Sequence, residues 1–61
     1  MKWYNTAFKY KSNRDKAFEE MKNANIRCDI FNMDEHYYIS WCPFSKKLYQ
    51  LAVQIVISHL D

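Results

Sequence analysis

An α+β domain with its elements in the order strand, helix, strand, strand, helix is predicted by three features of this sequence. Apolar residues alternate with period two over residues 2–11, 26–31 and 37–41, they recur at helical spacing over 13–24 and 46–60, and polar clusters with the single Pro43 mark the breaks. The expected architecture is βαββα: one domain over residues 1–61, a three-stranded antiparallel-type sheet in the order 1-3-2, and two helices on one face.

The first strand places Tyr4, Thr6, Phe8 and Tyr10 on one side and Trp3, Asn5, Ala7, Lys9 and Lys11 on the other. Ser12 or Asn13 then offers an N-cap, Asp15 stands in the first turn, and Ala17, Phe18, Met21 and Ala24 form the apolar stripe of a helix over residues 13–24. Its Glu19 and Glu20 are expected on a solvated face.

Ile26, Cys28 and Ile30 alternate with Arg27, Asp29 and Phe31, and after the polar run Asn32 to Glu35 the alternation resumes at Tyr37, Ile39 and Trp41. A four-residue loop over 32–35 would pair Ile30 with Tyr37, Cys28 with Ile39 and Ile26 with Trp41, all on one face. Pro43 ends this hairpin. Ser45 can cap a last helix over 46–60, with Leu48, Leu51, Ala52, Ile55 and His59 on one face and Tyr49, Val53, Val56 and Leu60 beside them.

The order resembles the ferredoxin-like split βαβ pattern with its fourth strand missing. A right-handed crossover leaves room for strand three between strands one and two, and the first strand is left as an open edge. At 61 residues the chain buries only about 60% of the surface its unfolded form exposes, so a second copy of the chain or another protein is expected to cover more.

Glycine is absent, which excludes P-loops, dinucleotide fingerprints, EF-hand loops and nucleophile elbows, since each needs a backbone that reaches positive φ or lets a phosphate approach closely. Asparagine is the best substitute at such positions, and Asn13, Asn23, Asn25 and Asn32 sit near the expected boundaries. The formal net charge is +2, with seven basic and four acidic groups in residues 1–30 against two and three in 31–61. That balance is too even to specify a nucleic-acid partner by itself.

The first twenty residues contain Lys2, Lys9, Lys11, Arg14 and Lys16 and no secretory pattern, and Leu48 to Leu60 is too short to span a bilayer, so a cytoplasmic protein is expected. The bias toward Lys, Asn, Ile, Tyr and Phe is that of an AT-rich genome such as those of many bacteria and their phages.

No constellation for catalysis emerges, and neither metal nor cofactor is expected. Cys28 and Cys42 fall on opposite faces of the hairpin, and with His36 and His59 they lack metal-ligand spacing. Asp34, Glu35 and His36 share a hairpin tip with no pocket wall, and Ser40, Ser45 and Ser58 form no triad with these histidines.

The uncovered sheet face carries the more informative set. Trp3, Lys9, Lys11, Arg27, Phe31 and Tyr38 are the expected partner-binding residues, aromatic anchors with bases for orientation. The reading is a small protein-binding inhibitor or adaptor of phage or mobile-element type, homodimeric or partner-dependent. A nucleic-acid-binding regulator using the same aromatics for base stacking is the alternative.

Overall fold

Residues 2–60 are described by the computed structural model. Its elements are β1 (Tyr4–Phe8), α1 (Lys11–Asn23), β2 (Arg27–Met33), β3 (His36–Cys42) and α2 (Lys46–His59). The strands form one sheet in the order β1-β3-β2, with both neighbouring pairs antiparallel. The expected topology is the one observed.

The core lies between the sheet and the helices. Phe8, Ile39 and Trp41 from the sheet are buried against Ala17 and Met21 of α1 and Ala52 and Ile55 of α2, so both helices cover the same face. Ala17 and Ala52, both fully buried, are the small residues through which the helices meet this core. Trp41 ties the β1–β3 side together: its indole N–H donates to Thr6 Oγ1 at 3.0 Å, and its ring stacks on Tyr4 at 4.7 Å between centroids. As an edge strand, β2 is covered less, with Cys28 half-buried and Ile30 exposed.

β1 is shorter than the sequence suggests. Tyr10, expected on the core face, is exposed and occupies the N-cap position of α1 with extended dihedrals, its carbonyl accepting from Arg14 N–H at 3.1 Å. The helix therefore begins at Lys11, ahead of Ser12 and Asn13, and no side chain caps it. An early start is favoured by the Lys11–Asp15 pair at i, i+4 and by Arg14, which then falls on the stripe of Ala17 and Met21.

The end of α1 uses asparagine where glycine is usual. Asn25 has φ 62°, Ile26 N–H reaches Met21 O at 3.0 Å, and Asn25 N–H reaches Lys22 O at 3.1 Å. This is the Schellman pattern, and its accompanying apolar contact is supplied by the buried pair Ile26 and Met21. Ser45 caps α2 as expected, its Oγ accepting from Leu48 N–H at 3.1 Å.

The hairpin corrects the loop and the register. Its connection is the two-residue turn Asp34–Glu35, with φ of 51° and 63°, and Met33 pairs with His36. Ile30 therefore lies opposite Ile39 and Cys28 opposite Trp41, two positions from the expected register, while Ile26 precedes the strand. A shift by two preserves the face of every residue, so the division into core side and open side stands. The polar run Asn32 to Glu35 suggests a four-residue loop, but the right-handed twist of the hairpin favours a turn with both central residues left-handed, and Asp34 and Glu35 adopt it here.

That conformation costs a non-glycine residue roughly 1–2 kcal/mol. Glu35→Gly is therefore expected to stabilise the domain by about 1 kcal/mol and raise Tm by roughly 4–8 °C. A thermal melt showing a lowered Tm would contradict this description of the turn.

Candidate functional site

The sheet face opposite the helices is built from ladder rows. Extending the β1–β3 register one residue back sets Trp3 beside Cys42, whose other neighbour is Arg27. The next row is Asn5, Ser40 and Asp29, and the one after it Ala7, Tyr38 and Phe31. Strand rise separates the first and third rows by roughly 14 Å.

Each end of this face carries an aromatic group. Phe31 and Tyr38 stack with centroids 4.8 Å apart and planes 7° from parallel. At the other end the Arg27 guanidinium lies over the Trp3 ring at 5.9 Å. Cys42 is only 1% exposed although no helix covers this face, because Trp3 and Arg27 flank it and meet across it. Trp3 itself remains 48% exposed and Phe31 37%. The middle row is small and polar, and Asp29 accepts its neighbour's N–H from Ile30 at 2.9 Å.

Arg14 supports the Phe31–Tyr38 pair from the opposite side of the sheet. Projecting from α1 and only 3% exposed, it donates from Nη1 to Phe31 O at 3.4 Å, Tyr38 O at 3.3 Å and Asn32 Oδ1 at 3.2 Å. Its guanidinium also lies 5.5 Å from the Tyr37 ring, and its Nε donates to Asp15 at 2.8 Å. The backbone that carries the stacked rings is thus pinned to α1 by one cation. Nothing in the sequence reading singled out Arg14, yet its i, i+3, i+7 spacing with Ala17 and Met21 placed a charge on the buried stripe, which was the available signal.

The Arg14 hydrogen bond is the largest influence on Asp15 and lowers its carboxyl below the ordinary value, against a smaller upward push from burial. A depressed folded-state pKa adds stability that is complete above the unfolded value of about 4 and is lost as pH falls through the folded one. Asp15→Asn is accordingly expected to flatten the loss of stability below about pH 4 in acid denaturation; an unchanged acid limb would contradict it.

Of the expected binding residues, Trp3, Arg27, Phe31 and Tyr38 share the open face. Lys11 does not: it is the first residue of α1, with its ammonium 3.5 Å from Asp15. Lys9 lies in the bend beyond β1, over the Tyr10 ring at 5.8 Å. Both shifts follow from the early helix start. The face therefore keeps one strand cation, Arg27, balanced by Asp29 two residues on.

The other reactive groups stay apart. His36 Nδ1–H donates to Asp34 O at 2.8 Å within the exposed hairpin tip. His59 bonds to Glu20 across the two helices, which takes Glu20 out of the purely solvated role expected for it. Cys28 and Cys42 are free thiols on opposite faces, and desolvation raises the Cys28 thiol above its usual value, away from nucleophile chemistry. Among the described residues no three His, Cys, Asp or Glu side chains converge as metal ligands, and no helix is long and apolar enough to cross a membrane.

In comparison with known proteins, the chain matches no family model, and no characterised protein and no solved structure is similar enough to lend it a function.

Proposed function

We propose that the chain is a small protein-binding module, an inhibitor or adaptor that occupies a site on a larger protein through its helix-free sheet face and performs no chemistry of its own. The observation that carries this reading is the placement of two aromatic groups, Phe31–Tyr38 and Trp3–Arg27, with Trp3 and Phe31 exposed, at opposite ends of one sheet surface. Tyr, Trp and Arg are the residue types that dominate interface energetics, and pre-stacked rings lose little entropy when a partner closes over them.

Charge favours a protein over a nucleic acid as the partner. Phosphate tracking needs several cations on the binding face, and here Arg27 is engaged with Trp3 and offset by Asp29 while Lys11 sits on α1. Capture on the tagged chain from a lysate, run with and without nuclease, tests the choice. A partner retained after nuclease treatment and lost with a Trp3→Ala/Tyr38→Ala bait supports the proposal; capture abolished by nuclease, with a steep salt dependence, would replace it by the nucleic-acid reading.

A further inference from the structure

We propose a second site, independent of the open face: the free edge of β1 and the overhanging side of α2 form a cleft for an extended peptide of a partner protein that ends in a carboxylate.

Among the described residues β1 is hydrogen-bonded to β3 alone, so its outer edge offers unpaired N–H and C=O groups. Protected edges carry charges, proline or a bulge, but Tyr4–Phe8 has no charge and no proline and pairs residue for residue without a bulge. The opposite edge, β2, contains Arg27 and Asp29.

The roof of the cleft is apolar. Tyr49, Val53 and Ile57 follow one another at i, i+4 and i+8 on α2; the first meets Tyr4 at 5.3 Å, and the last is 67% exposed. The stripe thus begins against Tyr4 and ends exposed at Ile57, with Val53 half-buried against the core between them.

One end of the cleft is positive. Where β1 begins, the connection from β3 to α2 borders a shallow, open groove of about 390 Å³, lined by Tyr4, Phe44 and Tyr49 together with Lys2 and Lys46. Among the described residues neither lysine forms a salt bridge, the Lys2 ammonium lying only over the Tyr4 ring at 5.3 Å, and the first turn of α2 holds no acidic residue. An anionic group there meets two ammonium ions and a helix N-terminus together.

These three features define the occupant. A strand antiparallel to β1, as both existing ladders are, would turn alternate apolar side chains toward Tyr49, Val53 and Ile57 and bring its C-terminal end to Lys2 and Lys46. A second copy fits less well, because antiparallel pairing through β1 would bring the end of its own β1, followed by Lys9, toward Lys2 and Lys46 instead of an anionic group.

Selection of a random-peptide display library on the intact chain tests this site. The expected peptides alternate apolar residues and carry a carboxylate at the C-terminal end, shift the amide resonances of Tyr4–Phe8, and bind about tenfold or more weakly to Lys46→Glu and to Ile57→Glu. Both substituted positions are exposed, so folding is preserved and the loss reports binding. Synthetic versions amidated at the C-terminus separate a terminal carboxylate from an Asp or Glu side chain. No enrichment over the Ile57→Glu variant, basic peptides, resonance shifts confined to the open face, or concentration-dependent dimerisation that perturbs Tyr4–Phe8 without peptide would each overturn the proposal.

Discussion

Arg14→Ala is expected to cost about 3 kcal/mol of stability, from lost charge-assisted hydrogen bonds together with the space left by a buried side chain. A domain of 61 residues has on the order of 3–9 kcal/mol in total, so this one change removes a large share and lowers Tm by roughly 12–24 °C. The effect is large because Arg14 joins α1 to both strands of the hairpin at one point, through the carbonyls of Phe31 and Tyr38. Arg14→Lys should fall between wild type and Ala, since an ammonium keeps the charge but cannot reproduce the guanidinium fork. Denaturant titration reads the differences directly. A loss below about 1 kcal/mol for Arg14→Ala would mean that the buried cation is neutral in the balance of folding.

Trp3→Ala and Tyr38→Ala are each expected to weaken partner binding by about 2 kcal/mol, roughly thirtyfold in Kd, with far smaller changes in stability. Tyr38 loses its stack with Phe31, and Trp3 loses the cover it forms with Arg27. The Trp3 variant carries a second readout that needs no partner: Cys42, now 1% exposed, should become accessible to an alkylating reagent. Unchanged Cys42 protection in that variant would contradict the placement of Trp3, and unchanged affinity in both variants would remove the face from the binding surface.

Much of the fold was legible because periodicity survives errors of detail. The hairpin register differs from the expected one by two residues, yet Cys28 and Ile30 remain on the helix side and Arg27 and Phe31 on the open side. Asn25 took the left-handed position that a glycine-free chain must fill somewhere. The turn at Asp34–Glu35 was hidden because residue preference argued against a tight loop, whereas strand twist and pairing up to Met33–His36 outweighed the local cost.

The candidate face was legible in its aromatics and less so in its charges. Lys9 and Lys11 continue the alternation of β1 in the sequence, and only the tertiary advantage of starting α1 at Lys11 takes them off the sheet. Cys42 looked like an ordinary open-face residue until Trp3 and Arg27 met across it, a contact between positions 24 apart in the chain. Arg14 was obscured by its charge, which reads as solvent-facing even on a buried stripe.

Whether a partner occupies the helix-free face is tested most directly by side-chain NMR of the complex formed with the captured protein. The expected result is large shifts for the rings of Trp3, Phe31 and Tyr38, with Phe18 on the helix side unmoved. Shifts confined to α1, to α2 or to the β1–α2 cleft, with those three rings unmoved, would contradict it.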